Sequence, residues 1–166
     1  MKLASALAKL KSLKNQLIRT ESYITESMSY AADSTPLYNY KTEVETRGRL
    51  VNEIMDLKSL IAATNNTTKV NFNDQTLILN ELILLNAQLR SELAYWAKIQ
   101  KAIRVDTNPF RTTDTVKQVL AEGLDAQELK KKLLQLERTK EAVDACILQA
   151  NLETELVKRN SPEKES

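Results

Sequence analysis

The chain predicts an all-α fold: an antiparallel bundle of about four long helices with coiled-coil-like packing. Three observations carry this reading. The composition is weighted toward Leu, Ala, Lys, Glu and Gln, the usage of helix bundles. Only two glycines and three prolines occur in 166 residues, too few for a sheet protein, which turns roughly every ten residues and needs left-handed positions to do it. Apolar residues recur at alternating spacings of three and four, the period of a helical seam. The length suits one helical-bundle domain over residues 1–158, with 159–166 (ending NSPEKES) as a disordered tail.

The first helix is expected from Ala4 to Ser29, because Leu3, Ala6, Leu10, Leu13, Leu17, Thr20 and Ile24 form a heptad seam. Leu7, Ile18 and Met28 widen it beyond a two-stranded stripe. Asp33, Ser34 and Pro36 break the pattern, so the second helix should return antiparallel. That helix, expected from Tyr38 to Ala63, carries Val44, Leu50, Val51, Ile54, Leu57, Leu60 and Ile61 on one side. Gly48 within it costs roughly 1 kcal/mol of helix propensity and suggests a close helix crossing. The run TNNTTKVNFND, Thr64 to Asp74, reads as a polar loop, since Asn, Thr and Asp side chains compete for the backbone.

The third helix, expected from Gln75 to Ile103, is the most apolar. Leu77, Ile78, Leu79, Leu82, Ile83, Leu84 and Leu85 surround it on nearly all sides, so this stretch needs partners and is the candidate packing or subunit interface. The first and second helices are expected to enclose Leu82 and Leu85 together with the third. Asn108-Pro109, a Thr/Asp cluster and Gly123 follow, with a pattern that allows a short helix through Val116, Val119 and Leu120. Asp125 with Glu128 then resembles a capping box opening a last helix from Ala126 to Lys158, whose seam is Leu129, Leu133, Leu136, Val143, Ile147, Ala150 and Val157.

The charge balance excludes several functions. With 24 basic and 22 acidic side chains the formal net charge is +2, far from the basic surface that nucleic acid or anionic membrane requires. The N-terminus sets a lysine every few residues where a signal peptide needs an apolar stretch, and the longest apolar cluster falls far short of the roughly 20 residues of a membrane span. A cytoplasmic, non-secreted protein is expected. Histidine is absent, which removes Ser-His-Asp and Cys-His catalysis, most zinc sites and the carboxylate-histidine di-iron sites of bundles. Cys146 reads as a packed free thiol, Glu81, Glu92, Glu137 and Glu141 as solvated charges, and Lys130, Lys131 and Lys132 as a solvated face. No catalytic residue, metal ligand or cofactor is expected.

Three segments resemble the septicolysin-like family of small bacterial helical proteins: MKLASAL, TNNTTKVNFNDQTLILNELILLNAQLR, and LDAQEL with VDACILQANLETEL. The matching positions are Leu3, Leu7, Asn65, Thr67, Thr68, Asp74, Leu77, Asp125, Leu129, Asp144, Ile147, Asn151 and Leu156. Leu152 departs from the pattern, which commonly has an aromatic there. The resemblance implies a bacterial protein, and its founding name implies a membrane-acting haemolysin, although fold and function travel separately.

The best candidate interaction loop is Asn65, Asn66, Thr67, Thr68, Asn73 and Asp74, polar residues gathered at one bundle end. A structural role as helix caps is the competing reading for Thr67, Thr68, Asn73 and Asp74. Taken together, the sequence points to a non-enzymatic protein that self-associates or binds another helix. A homo-oligomer is expected from the apolar flanks Leu7, Leu79 and Leu84. Membrane lysis is the rival reading. Against it stand Glu81, Arg90 and Glu92 beside the apolar stretch, because a charge at the bilayer centre costs roughly 2.5 to 3.5 kcal/mol.

Overall fold

The computed structural model describes residues 1–30, 34–105 and 126–158. The expectations at Asp33, at Asn108-Pro109 and the helix through Val116, at the Asp125 cap, and in the tail lie outside the described residues. Among those described there are four helices, α1 (Leu3–Met28), α2 (Tyr40–Thr67), α3 (Leu79–Val105) and α4 (Ala126–Glu153), and two strands, β1 (Lys69–Phe72) and β2 (Gln75–Ile78). Among the described residues the chain is mostly helical, in keeping with the all-α expectation, with one small two-stranded sheet that the expectation did not include. Its contacts divide the chain into two units, Met1–Thr68 with Ala150–Ser166, and Lys69–Gln149.

In the first unit, α1 buries Ala6, Leu13, Thr20 and Ser27 at intervals of seven, together with Leu3. The partner helix α2 answers with Leu50, Leu57 and Thr64 at the same interval and Ile54 and Ile61 between them. Two columns at heptad spacing are what a helix pair needs to keep one side turned to its neighbour along its whole length. The helices run antiparallel: Lys9 pairs with Glu53 at 2.6 Å and Glu21 with Arg47 at 2.9 Å, so numbers rise on one helix as they fall on the other. Asn39 starts α2, its side-chain oxygen accepting from the Thr42 N–H at 3.2 Å. A Cβ added at Gly48 would meet nothing within 4 Å among the described residues, so the glycine marks no close crossing with any of them.

Extended backbone stitches the end of this unit. The Leu3 N–H donates to the Thr154 carbonyl (2.9 Å) and the Leu156 N–H to the Met1 carbonyl (2.8 Å), around an antiparallel bridge between Lys2 and Glu155. The last helix thus stops at Glu153 rather than Lys158, because residues 154–156 pair with the N-terminus. Thr64, almost fully buried, joins that end: its hydroxyl donates to the Leu60 carbonyl at 2.7 Å and accepts from the Val157 N–H at 3.1 Å.

In the second unit the segment expected as a loop and helix start is a β-hairpin. β1 and β2 pair antiparallel with Val70 opposite Leu77 and Phe72 opposite Gln75. Asn73 and Asp74 turn the chain with φ of 48° and 61°, the left-handed region that short polar side chains tolerate and that the commonest two-residue hairpin turns require. Alternation puts Val70, Phe72 and Leu77 on the core side, packed against Leu82, Leu89 and Val143. On the other face Thr76 donates to the Asn71 side-chain oxygen at 3.0 Å. α3 accordingly begins at Leu79, not Gln75. Glu81 fixes that start by accepting from the Ile78 N–H at 2.8 Å, half of a capping box. Leu82 is fully buried, and Val143 of α4 and the hairpin residues supply the enclosure expected of the first and second helices.

Candidate functional site

The polar residues singled out in sequence fall in both units. At the end of α2, in the first unit, Thr67 donates to the Ala63 carbonyl at 3.0 Å and Thr68 to the Thr64 carbonyl at 2.8 Å. These hydroxyls bond carbonyls one turn back on α2, and the Thr64 carbonyl also accepts from the Thr68 backbone N–H at 2.9 Å. Asn65 is half-buried, its side-chain oxygen enclosed with no hydrogen-bond partner among the described residues, and Asn66 is exposed. In the second unit Asn73 and Asp74 form the hairpin turn instead of capping a helix.

The apolar stretch separates by exposure. Leu79 and Leu82 are fully buried, Leu77, Ile83 and Leu85 half-buried, Ile78 at the margin of exposure, and Leu84 is 62% exposed. Leu79 is therefore core and cannot be an apolar flank, whereas Leu84 and Leu7 remain on the surface.

A cluster that sequence reasoning missed lies in the second unit, in the seam between α3 and α4. Leu82, Asn86 and Leu89 follow one another at spacings of four and three, and all three are buried. Asn86, only 6% exposed, donates its side-chain amide to the Asp144 carboxylate. Lys140, one turn earlier on α4, binds the other carboxylate oxygen at 2.5 Å, and Arg90 approaches at 3.8 Å. The hydrogen bonds from Lys140 and then Asn86 hold the Asp144 carboxyl below its ordinary range, against the opposing effect of burial. The Asn86 side-chain oxygen is buried with no hydrogen-bond partner among the described residues. A signal was present in sequence: an asparagine at a seam position is a register-setting residue in helix pairs.

Further along the same seam the Lys132 ammonium sits 3.8 Å from the centroid of the Trp96 ring, so one lysine of the triplet is a cation–π partner as well as a solvated charge. Trp96 donates its indole N–H to Glu92 at 3.0 Å. Asn86 with Asp144 and Trp96 with Lys132 again run in opposite numerical order, so α3 and α4 are antiparallel. Cys146 is half-buried beside this core, its thiol 3.7 Å from the Asn71 carbonyl. Among the described residues no group of three acidic or thiol side chains is placed to hold a metal ion, and no helix is long and apolar enough to cross a membrane.

No protein family and no curated protein matches the sequence. The fold resembles a crystal structure of a functionally unknown conserved protein from Corynebacterium diphtheriae, with 20% identity over 95% of this chain and 99% of that one and a TM-score of 0.84. At that identity the likeness concerns the fold alone.

Proposed function

We propose that this is a non-enzymatic helical interaction protein that associates with itself, built from antiparallel, coiled-coil-like helix pairs and related to the septicolysin-like family. The observation that carries the reading is an apolar line on the outside of α2. Val44, Gly48, Val51, Met55 and Ala62 follow heptad spacing, with Lys58 at the one charged step, and Val44, Met55 and Ala62 are exposed, Met55 to 63%. The open space over Gly48 leaves room for another helix backbone to approach. Ile18 on α1 adds a second large apolar side chain, 65% exposed. A helix that keeps apolar residues at seam spacing on both sides is suited to two neighbours, and the neighbour on the outer side is a second copy of this chain.

Sedimentation equilibrium over a micromolar concentration series tests the proposal: a mass above that of one chain, rising with concentration, supports it, and a single-chain mass throughout overturns it. The lytic reading attached to the family name is settled by vesicles. We expect neutral and anionic liposomes to retain an entrapped dye at neutral pH, and release at submicromolar protein would put membrane action first.

A further inference from the structure

The groove between α1 and α2 has a volume of about 450 Å³, within the range of small-molecule sites. Its floor is Thr20 and Leu50, both buried. Its walls are Gln16, Arg19 and Tyr23 from α1 and Thr46, Arg49 and Glu53 from α2. Charge is unevenly shared among them. Glu53 is neutralised by Lys9 at 2.6 Å. The nearby Arg47 is tied to Glu21 at 2.9 Å. Among the described residues neither Arg19 nor Arg49 is paired with a carboxylate, and Arg49 donates only a long 3.4 Å hydrogen bond to the Thr46 hydroxyl. The groove thus holds two uncompensated guanidinium groups, one from each helix.

We propose that this groove binds a small molecule through its phosphate monoester, clamped between Arg19 and Arg49. A monoester dianion matches two positive charges, and each planar guanidinium offers a fork of donors to its oxygens. A single carboxylate would leave one charge unmatched. The remaining neutral donors and acceptors, the Gln16 amide and the Thr46 and Tyr23 hydroxyls, suit a polar organic group esterified to the phosphate. Tyr23 is held in place by stacking on Tyr38, with ring centroids 4.1 Å apart and planes inclined by 21°. The site lies within one unit and does not depend on self-association.

The test is calorimetric titration of the full chain with phenyl phosphate at low salt. One saturable site per chain is expected. R19A and R49A should each weaken it about ten- to hundredfold, the loss of one charge-assisted hydrogen-bonding group. R49K, which keeps the charge but not the fork, should weaken it also, while K58A, an exposed lysine of α2 outside the groove, should leave it unchanged. Both arginines are exposed helix residues, so these variants are expected to fold, which circular dichroism checks. Absence of saturation at millimolar ligand, equal weakening by K58A, or equally tight binding of succinate overturns the proposal.

Discussion

Among the described residues, the seam of the first unit is built from Leu, Ile and Ala at intervals of seven with the hydroxyl residues Thr20, Ser27 and Thr64 among them, whereas the seam of the second unit carries a buried amide, Asn86, and draws a carboxylate and two cations around it. The two kinds of polar residue behave differently because of reach. Thr64 and Ser27 donate to carbonyls four and three residues earlier on their own helices, so they are satisfied whatever the neighbouring helix does. Asn86 has no such local solution and must find its acceptor on α4. It therefore ties the sliding position of α3 to that of α4, at the cost of a buried oxygen with no partner among the described residues.

The largest effect expected in the second unit is at its apolar centre. Leu82→Ala should cost about 2 to 5 kcal/mol in denaturant titration, the range for a fully buried leucine; a loss below about 1 kcal/mol would remove Leu82 from the core. The comparison itself is tested by two alanines. Asp144→Ala strands the Asn86 amide and should cost about 1 to 3 kcal/mol, while Ser27→Ala in the first unit should cost less than about 1 kcal/mol. Equal losses would erase the distinction between the two seams.

Asp144 also gives the second unit an acid dependence. Its carboxyl ionises below the ordinary value of 3.8 in the folded chain, so the unfolded chain takes up the proton first. The stability it contributes is complete above that ordinary value and is lost as pH falls through the lowered folded one. The stability difference between the native chain and Asp144→Asn should therefore be constant near neutrality and shrink below pH 3.8. A difference that stays constant into that range would contradict the hydrogen-bonded carboxylate. The smallest effect is at the hairpin turn. Asp74→Gly removes a side chain from a residue at φ 61° and should stabilise the chain by about 0.5 kcal/mol, since glycine adopts that backbone freely. Destabilisation would mean that the aspartate side chain contributes there.

The helices were legible because their signal is long: the seam of α1 from Leu3 to Ile24 spans most of its 26 residues, and composition admits no rival period. The hairpin was not, because each strand has four residues. The turn is Asn-Asp rather than a glycine pair, and Leu77 and Ile78 run directly into the leucines of α3. Alternation over Val70 and Phe72 was the available sign, outweighed by the polar residues around it. Among the candidate loop residues, types alone distinguished capping threonines from turn residues poorly, since the same short polar side chains serve both. Asn86 is hidden for the opposite reason: it directly follows the apolar run that ends at Leu85, and only its spacing with Leu82 and Leu89 places it in the seam.

Static light scattering at micromolar protein reads whether apolar residues left outside these helix pairs join copies of the chain, as proposed. The expected mass is at least twice the 18.8 kDa of one chain, falling toward that single-chain value in Met55→Lys. A mass of 18.8 kDa for the unaltered chain would contradict it.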